Sequence, residues 1–292
     1  MIQLDQLTKV FAKNKGIFSI SFQVKEGEVF GFIGPNGAGK STTIRHLLGF
    51  LRADSGSAVI NGLDYWKNAP ELKQMIGYVP GEPVFIEGLT GHEFLEAMRK
   101  MRRQATDNRN VLLDRFELRP NVPLHKMSKG MKQKIALTAA FMHDPQVLIL
   151  DEPTSGLDPL MQQRFIELVL EEKRKGKTIL MSSHSFPEME KTCDRAAMIK
   201  DGRIILNDEM TVLQAHKHQQ FHITLANSNS ADALVQEFHQ SVRIDPVRVT
   251  VSLQGDPNGM VRTLAKYDIK GFTMEEESLE KIFMNHYGKE AM

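Results

Sequence analysis

A single cysteine, Cys193, stands among the 292 residues, so an internal disulfide framework is excluded and the chain suits a reducing cytosol. Long apolar runs are missing as well. None reaches the roughly 18 residues expected of a membrane-spanning helix. The start, Met1-Ile2-Gln3-Leu4-Asp5, lacks the basic-then-apolar pattern of a secretion signal. Charge of one sign is not in excess: the formal net charge is +1, which gives no case for nucleic acid or for an anionic membrane surface. Internal repeats and low-complexity tracts are absent too. With 41% hydrophobic and 25% charged residues, the chain can bury a core for one large domain plus a small one. It is expected to be soluble alone, and to meet a membrane only through a partner.

Against that plain background one segment is specific. Gly34-Pro35-Asn36-Gly37-Ala38-Gly39-Lys40-Ser41 matches the phosphate-loop pattern in full. Val29-Phe30-Gly31-Phe32-Ile33 before it reads as a short buried strand. Thr42 to Gly49 after it carries Ile44, Leu47 and Leu48 at helical spacing and stops at a glycine. Glycines let backbone N–H groups curl around an anion, and the new helix aims its positive end at the same place. Lys40 adds a mobile cation for the β- and γ-phosphates, and the Ser41 hydroxyl suits Mg²⁺.

Strands at Ile17 to Val24, Glu28 to Ile33, Ala58 to Ile60 and Ile76 to Val79 are separated by turn chemistry such as Asp54-Ser55-Gly56-Ser57 and Asn61-Gly62. Between about 84 and 142 the texture turns helical, at Glu93 to Met101, Arg109 to Phe116 and Lys129 to Phe141. Val147-Leu148-Ile149-Leu150, apolar throughout, predicts a buried parallel strand. Phe165-Ile166-Leu168-Val169 follows at helical spacing, then the strand Thr178 to Met181. Residues 1–215 thus form one discontinuous α/β unit of phosphate-loop type, with a β subdomain and a helical insert. His216 to Gln220 reads as a linker. Beyond it, strands and helices in the order βαββαβ over 221–292 predict a small split-βαβ α+β domain. A final helix places Leu279, Ile282, Phe283 and Tyr287 on one stripe.

The apolar strand at 147–150 ends in Asp151-Glu152. Two carboxylates can close such a strand only where water or cations meet them. Asp151 is placed to hold Mg²⁺, and Glu152 to orient or deprotonate the attacking water, the task phosphoryl transfer chiefly demands.

With these residues in hand the chain resembles the ATP-binding cassette ATPases, the engines of ABC transporters, over residues 1 to about 215. Met127-Ser128-Lys129-Gly130-Met131 stands where that family has its Leu-Ser-Gly-Gly-Gln signature; Ser155-Gly156-Leu157-Asp158 follows as its D-loop, and His184 as its switch histidine. Phe11 sits where an aromatic stacks on adenine. The resemblance implies a RecA-like core that binds ATP and Mg²⁺. It assigns Glu152, His184 and Lys40 to catalysis, and Ser41 and Asp151 to the metal. It assigns Phe11, Gly34, Asn36, Gly37, Ala38, Gly39, Lys40, Ser41, Thr42, Ser128, Gly130 and Asp158 to nucleotide. Ser128, capping the helix from Lys129, would serve ATP held by an opposite copy, so the resemblance also implies a head-to-tail dimer.

Two departures stand out. Gly81 replaces the glutamine that the family places near Mg²⁺ and the attacking water, so that role is not carried over; the neighbouring Glu82 is a candidate substitute that changes the local charge. Lys129 and Met131 replace Gly and Gln in the signature. Signatures of this kind, with a small C-terminal domain, are similar to those of a bacterial exporter subgroup. The expected protein is therefore the ATP-hydrolysing subunit of an exporter. It would lie on the inner face of the cell membrane against a separate transmembrane permease, as a homodimer or paired with a related subunit, without nucleic acid. The permease would seat a short helix in a groove near Val84-Phe85-Ile86-Glu87. The alternatives are a soluble clamp without a transport role and a regulatory cassette with weak hydrolysis. Cys193, on an apparent helix, is expected to pack and not to react, and His216 and His218 are not expected to bind metal.

Overall fold

The computed structural model describes residues 1–102, 106–215, 219–238, 240–253 and 256–276. The stripe from Leu279 to Tyr287 and the histidines of the 216–218 segment lie outside the described residues. The chain divides into two compact units, Met1–Met210 and Thr211–Met292.

The first unit opens with β1 (Ile2–Ala12) and β2 (Lys15–Val24), an antiparallel hairpin whose residues bury one face only. β3 (Val29–Ile33) is buried at every position and runs into the phosphate loop and α1 (Lys40–Leu47). β4 (Ser55–Ile60) and β5 (Leu63–Asp64) complete a four-stranded sheet in the order β2-β1-β4-β5. The strand at Ile2–Ala12 has no counterpart among the four strands named from sequence.

Next come α2 (Ala69–Met75), β6 (Ile76–Val79), α3 (Gly91–Met101), α4 (Arg109–Arg115) and α5 (Lys129–Phe141). β7 (Val147–Asp151), α6 (Pro159–Arg174), β8 (Thr178–Ser183), α7 (Phe186–Thr192), β9 (Arg195–Lys200) and β10 (Arg203–Glu209) follow. The second sheet reads β10-β9-β3-β8-β7-β6, parallel from β9 to β6. β3, β7 and β8 are buried along their whole length, because helices and the first sheet together cover both faces of the parallel sheet. The two sheets share a core in which Phe22 of β2 stacks on Phe30 of β3 at 5.1 Å and Ile44 and Leu47 of α1 are fully buried.

Cys193 is not helical: it ends α7 in extended conformation. Its thiol is buried, and burial pushes it up to about 12, so it stays protonated, as a packing residue should.

The second unit contains β11 (Gln219–Leu225), α9 (Ser228–Glu237), β12 (Ser241–Arg243), β13 (Arg248–Leu253), α10 (Asn258–Leu264) and β14 (Ile269–Glu276), after α8 (Met210–Ala215), which spans the division. Its antiparallel sheet, in the order β12-β13-β11-β14, carries its own core around Phe221, Ile223, Leu234 and Val249.

Candidate functional site

Register decides where the site forms. Ile33 ends β3 opposite Ser183, and Asp151 ends β7 opposite Ser182, so the carboxyl ends of β3, β8 and β7 finish level, one strand spacing apart. Such a row, where loops leave a parallel sheet, is the usual seat of a ligand in open α/β folds.

The phosphate loop leaves β3 at Gly34. A Cβ there would come within 2.4 Å of the Ile199 carbonyl oxygen, so only glycine lets the loop lie this close to β9. Gly39 caps α1 at φ 115°, a conformation that costs a side-chain-bearing residue about 1 kcal/mol or more. Lys40, only 6% exposed, donates to the Gly34 carbonyl at 2.5 Å and lies 3.2 Å from Glu152 Oε1. A buried ammonium must be paired, and these two partners hold it in place.

Across the sheet, Asp151 is buried and accepts a 2.5 Å hydrogen bond from Ser182 Oγ. Glu152 turns out of the strand with φ 47°. For a residue with a Cβ this left-handed conformation stores roughly 1–2 kcal/mol of strain. Its N–H donates to the carbonyl and to Oγ of Ser182, both at 3.1 Å, which holds the turn. Its carboxylate is then shared: Oε1 faces Lys40, and Oε2 lies 2.6 Å from His184 Nδ1.

One cavity of about 520 Å³ gathers Asn36, Ser41, Asp151, Glu152 and His184, with Gly81, Glu82 and Lys129 also on its wall. Gly34, Gly37, Ala38, Gly39, Lys40 and Thr42 of the loop and helix start lie off its wall, as do Phe11, Ser128, Gly130 and Asp158. Phe11 projects into solvent, 56% exposed, at the end of β1. Ser128 caps α5, accepting from the Met131 N–H at 3.2 Å, and Asp158 caps α6 in the same way from Met161 at 3.0 Å. A Cβ on Gly130 would meet the Gly156 carbonyl at 2.7 Å, so the signature segment and the loop before Asp158 touch within this chain. A Cβ on Gly81 would lie 3.5 Å from Asp151 Oδ2, an ordinary contact, and the glycine leaves that wall bare.

Sequence reasoning passed over three polar residues here. Gln133 of α5 donates to the Pro153 carbonyl at 2.8 Å and ties the helix to the turn after Glu152. Ser182 holds both carboxylate residues. Glu188 bonds to Thr154, two residues after Glu152, and to Ser183, the residue before His184. The only signal for Ser182 was its place at the end of an apolar strand; Gln133 and Glu188 gave none, because their partners are distant in sequence.

The donor set suits Mg²⁺. Asp151 would offer it a carboxylate and Ser41 a hydroxyl, hard oxygen donors of the kind this cation takes. Among the described residues no group of three or more His, Cys, Asp and Glu is placed to cage a metal.

Fold and site together define a phosphate-loop ATPase of mixed α/β class. The family model described as ABC transporter matches residues 17–155. The chain is 31% identical to the linearmycin resistance ATP-binding protein LnrL of Bacillus subtilis, over 99% of both chains. It is also 31% identical to the bacitracin transport ATP-binding protein BcrA of Bacillus licheniformis, over 99% of this chain and 97% of that one. A solved ATP-binding subunit of an ABC transporter superposes with a TM-score of 0.68 at 32% identity, covering 73% of this chain and 92% of that one. The chain belongs to the ATP-binding subunits of ABC transporters, which bind and hydrolyse ATP.

Proposed function

We propose that the chain drives a bacterial exporter: ATP closes two copies on each other, hydrolysis lets them part, and a separate transmembrane subunit follows. The observation that carries this is the sharing of Glu152 between Lys40 and His184 beside Asp151 and Ser41.

Lys40 holds a carbonyl and a carboxylate, the oxygens a triphosphate would replace. Arrival of the phosphates transfers its charge to them and frees Glu152 Oε1, which then orients the attacking water. His184 keeps Oε2, fixing the carboxylate's direction. Asp151 and Ser41 would hold Mg²⁺, whose charge offsets that developing on the phosphates. The N–H groups at the start of α5, led by Ser128 and Gly130, suit the γ-phosphate of a facing copy, and Ser128 Oγ keeps a proton to donate. Phe11, exposed, is free to stack on adenine.

Val84, 92% exposed, and Ile86, 63% exposed, flank Phe85, whose ring meets Phe94 of α3 edge-on at 4.9 Å. This apolar segment between sheet and insert suits a short helix of the permease. Among the described residues no helix is long and apolar enough to cross a membrane, so a permease on another chain would bring this subunit to the inner membrane face. The likeness to the linearmycin resistance protein LnrL and the bacitracin transport protein BcrA favours antimicrobial compounds as the cargo. The bare wall at Gly81 favours one rival, a regulatory cassette that hydrolyses ATP weakly.

The deciding experiment is extraction from native membranes with the detergent-solubilised complex intact. Recovery with a polytopic protein, and ATP turnover that rises in its presence, supports the exporter reading. A chain that stays free of any membrane protein while hydrolysing ATP at full rate points to the soluble clamp.

A further inference from the structure

Glu188 lies outside the phosphate loop and the strand-end carboxylates, yet it bonds to the loops that carry Glu152 and His184. It sits in α7, 5% exposed. Its Oε2 accepts one hydrogen bond from Thr154 Oγ1 and one from Ser183 Oγ, each at 3.0 Å. Thr154 stands two residues beyond Glu152, and Ser183 immediately precedes His184. Ser183 Oγ also accepts from the Ser185 N–H at 2.9 Å, so the backbone on both sides of His184 is held. Thr154, His184, Glu188 and Lys191 face a second cavity, of about 420 Å³, beside the first.

A buried carboxyl is costly unless its bonds do something an apolar residue cannot. Here Oε1 has no hydrogen-bond partner among the described residues, and both bonds fall on Oε2. What one oxygen achieves is a bridge between two loops that leave neighbouring strands. We propose that Glu188 is a positioning residue for ATP hydrolysis: it ties the turn after Glu152 to the residue before His184, so that the two side chains meet at 2.6 Å as one unit. This rests on reading Glu152 as the carboxylate that orients water. Misplacement of a reacting group by about 1 Å can cost on the order of 100-fold in rate.

The charge state of Glu188 is tunable. Burial pushes its carboxyl up to about 7, the two hydroxyl donors draw it down, and nearby Glu152 raises it further. His184 opposes that rise; Lys191, on the same helix, faces the second cavity, and Glu188 in turn raises the buried Cys193 thiol. Ionised, Oε2 is the stronger acceptor and the bridge tightens.

The test uses the full chain and steady-state ATP turnover from pH 5.5 to 9, with thermal melting as a control. Glu188→Ala should lower kcat tenfold or more while KM for ATP moves less than twofold. The kcat of the unaltered chain should rise through pH 7 as Glu188 ionises. Glu188→Gln, which keeps an acceptor oxygen, should return kcat to within about threefold of the unaltered chain and abolish that rise. Thr154→Val cuts one arm and leaves the carboxyl, so it serves if Glu188→Ala does not fold; its kcat should fall several-fold with KM unchanged. Normal kcat in Glu188→Ala, or in a folded Thr154→Val, overturns the proposal, as does a loss confined to KM or a Glu188→Gln as impaired as Glu188→Ala. Glu152→Gln run alongside separates the two readings. Its normal turnover would remove Glu152's role and this proposal together; an inactive Glu152→Gln beside an unimpaired Glu188→Ala removes Glu188's role alone.

Discussion

Glu152 combines a strained backbone, a buried cation at one carboxylate oxygen and an imidazole at the other. Strain of this kind persists only where the surroundings over-determine it, here through two hydrogen bonds to Ser182. Glu152→Gln keeps the shape and loses the charge. ATP binding measured by equilibrium dialysis should survive, while turnover falls by orders of magnitude. At Gly81 an added Cβ makes only ordinary contacts with Asp151, and the position lies on the cavity wall. Gly81→Gln should fold normally and raise turnover several-fold by adding a polar group beside Asp151; an unchanged rate would leave the bare wall without kinetic consequence. Both positions were legible in the sequence, one from adjacent carboxylates after an apolar run and the other as a departure from the family pattern. Ser182 and Glu188 were not, because hydrogen-bond partners across strands leave no trace in spacing.

Helix α5 links the insert to the sheet. Its start carries Ser128, its buried face carries Gln133 bonded to Pro153, and His143 lies just beyond its end. His143 is buried, and burial pushes its imidazole down to about 4, helped by the Arg102 guanidinium. The folded chain therefore binds fewer protons than the unfolded chain between about 4 and the ordinary histidine value near 6.5. Stability from this group is complete above pH 6.5 and is lost as pH falls toward 4. In urea unfolding, any advantage of the unaltered chain over His143→Asn should narrow by up to roughly 3 kcal/mol across that window. A constant difference would mean that His143 is not held neutral. Helix periodicity showed where α5 runs; it could not show that His143, two positions beyond it, is buried enough to exclude a proton.

On the proposed reading, the segment that exposes Val84 and Ile86 would meet the permease, and the capped start of α5 would meet the facing copy. Ile86 does not line the catalytic cavity, so Ile86→Asp separates docking from chemistry. It should retain ATP affinity but leave the membrane protein on detergent extraction. Retention of the complex would move the docking site elsewhere. Among the described residues both units carry their own cores, as expected for domains able to fold separately.

Local chemistry was enough to read the phosphate loop, the two carboxylates after a buried strand, the helical insert and the βαββαβ order of the second unit. Those depend on glycine freedom, hydrophobic period and turn residues, all of which act over a few positions. Which strands lie side by side was not available from that source. β3 pairs with β8 and β9, and β7 with β6 and β8, through backbone hydrogen bonds that any side chain permits. That pairing brings Lys40, Glu152 and His184 together, because three strand ends finish at one level.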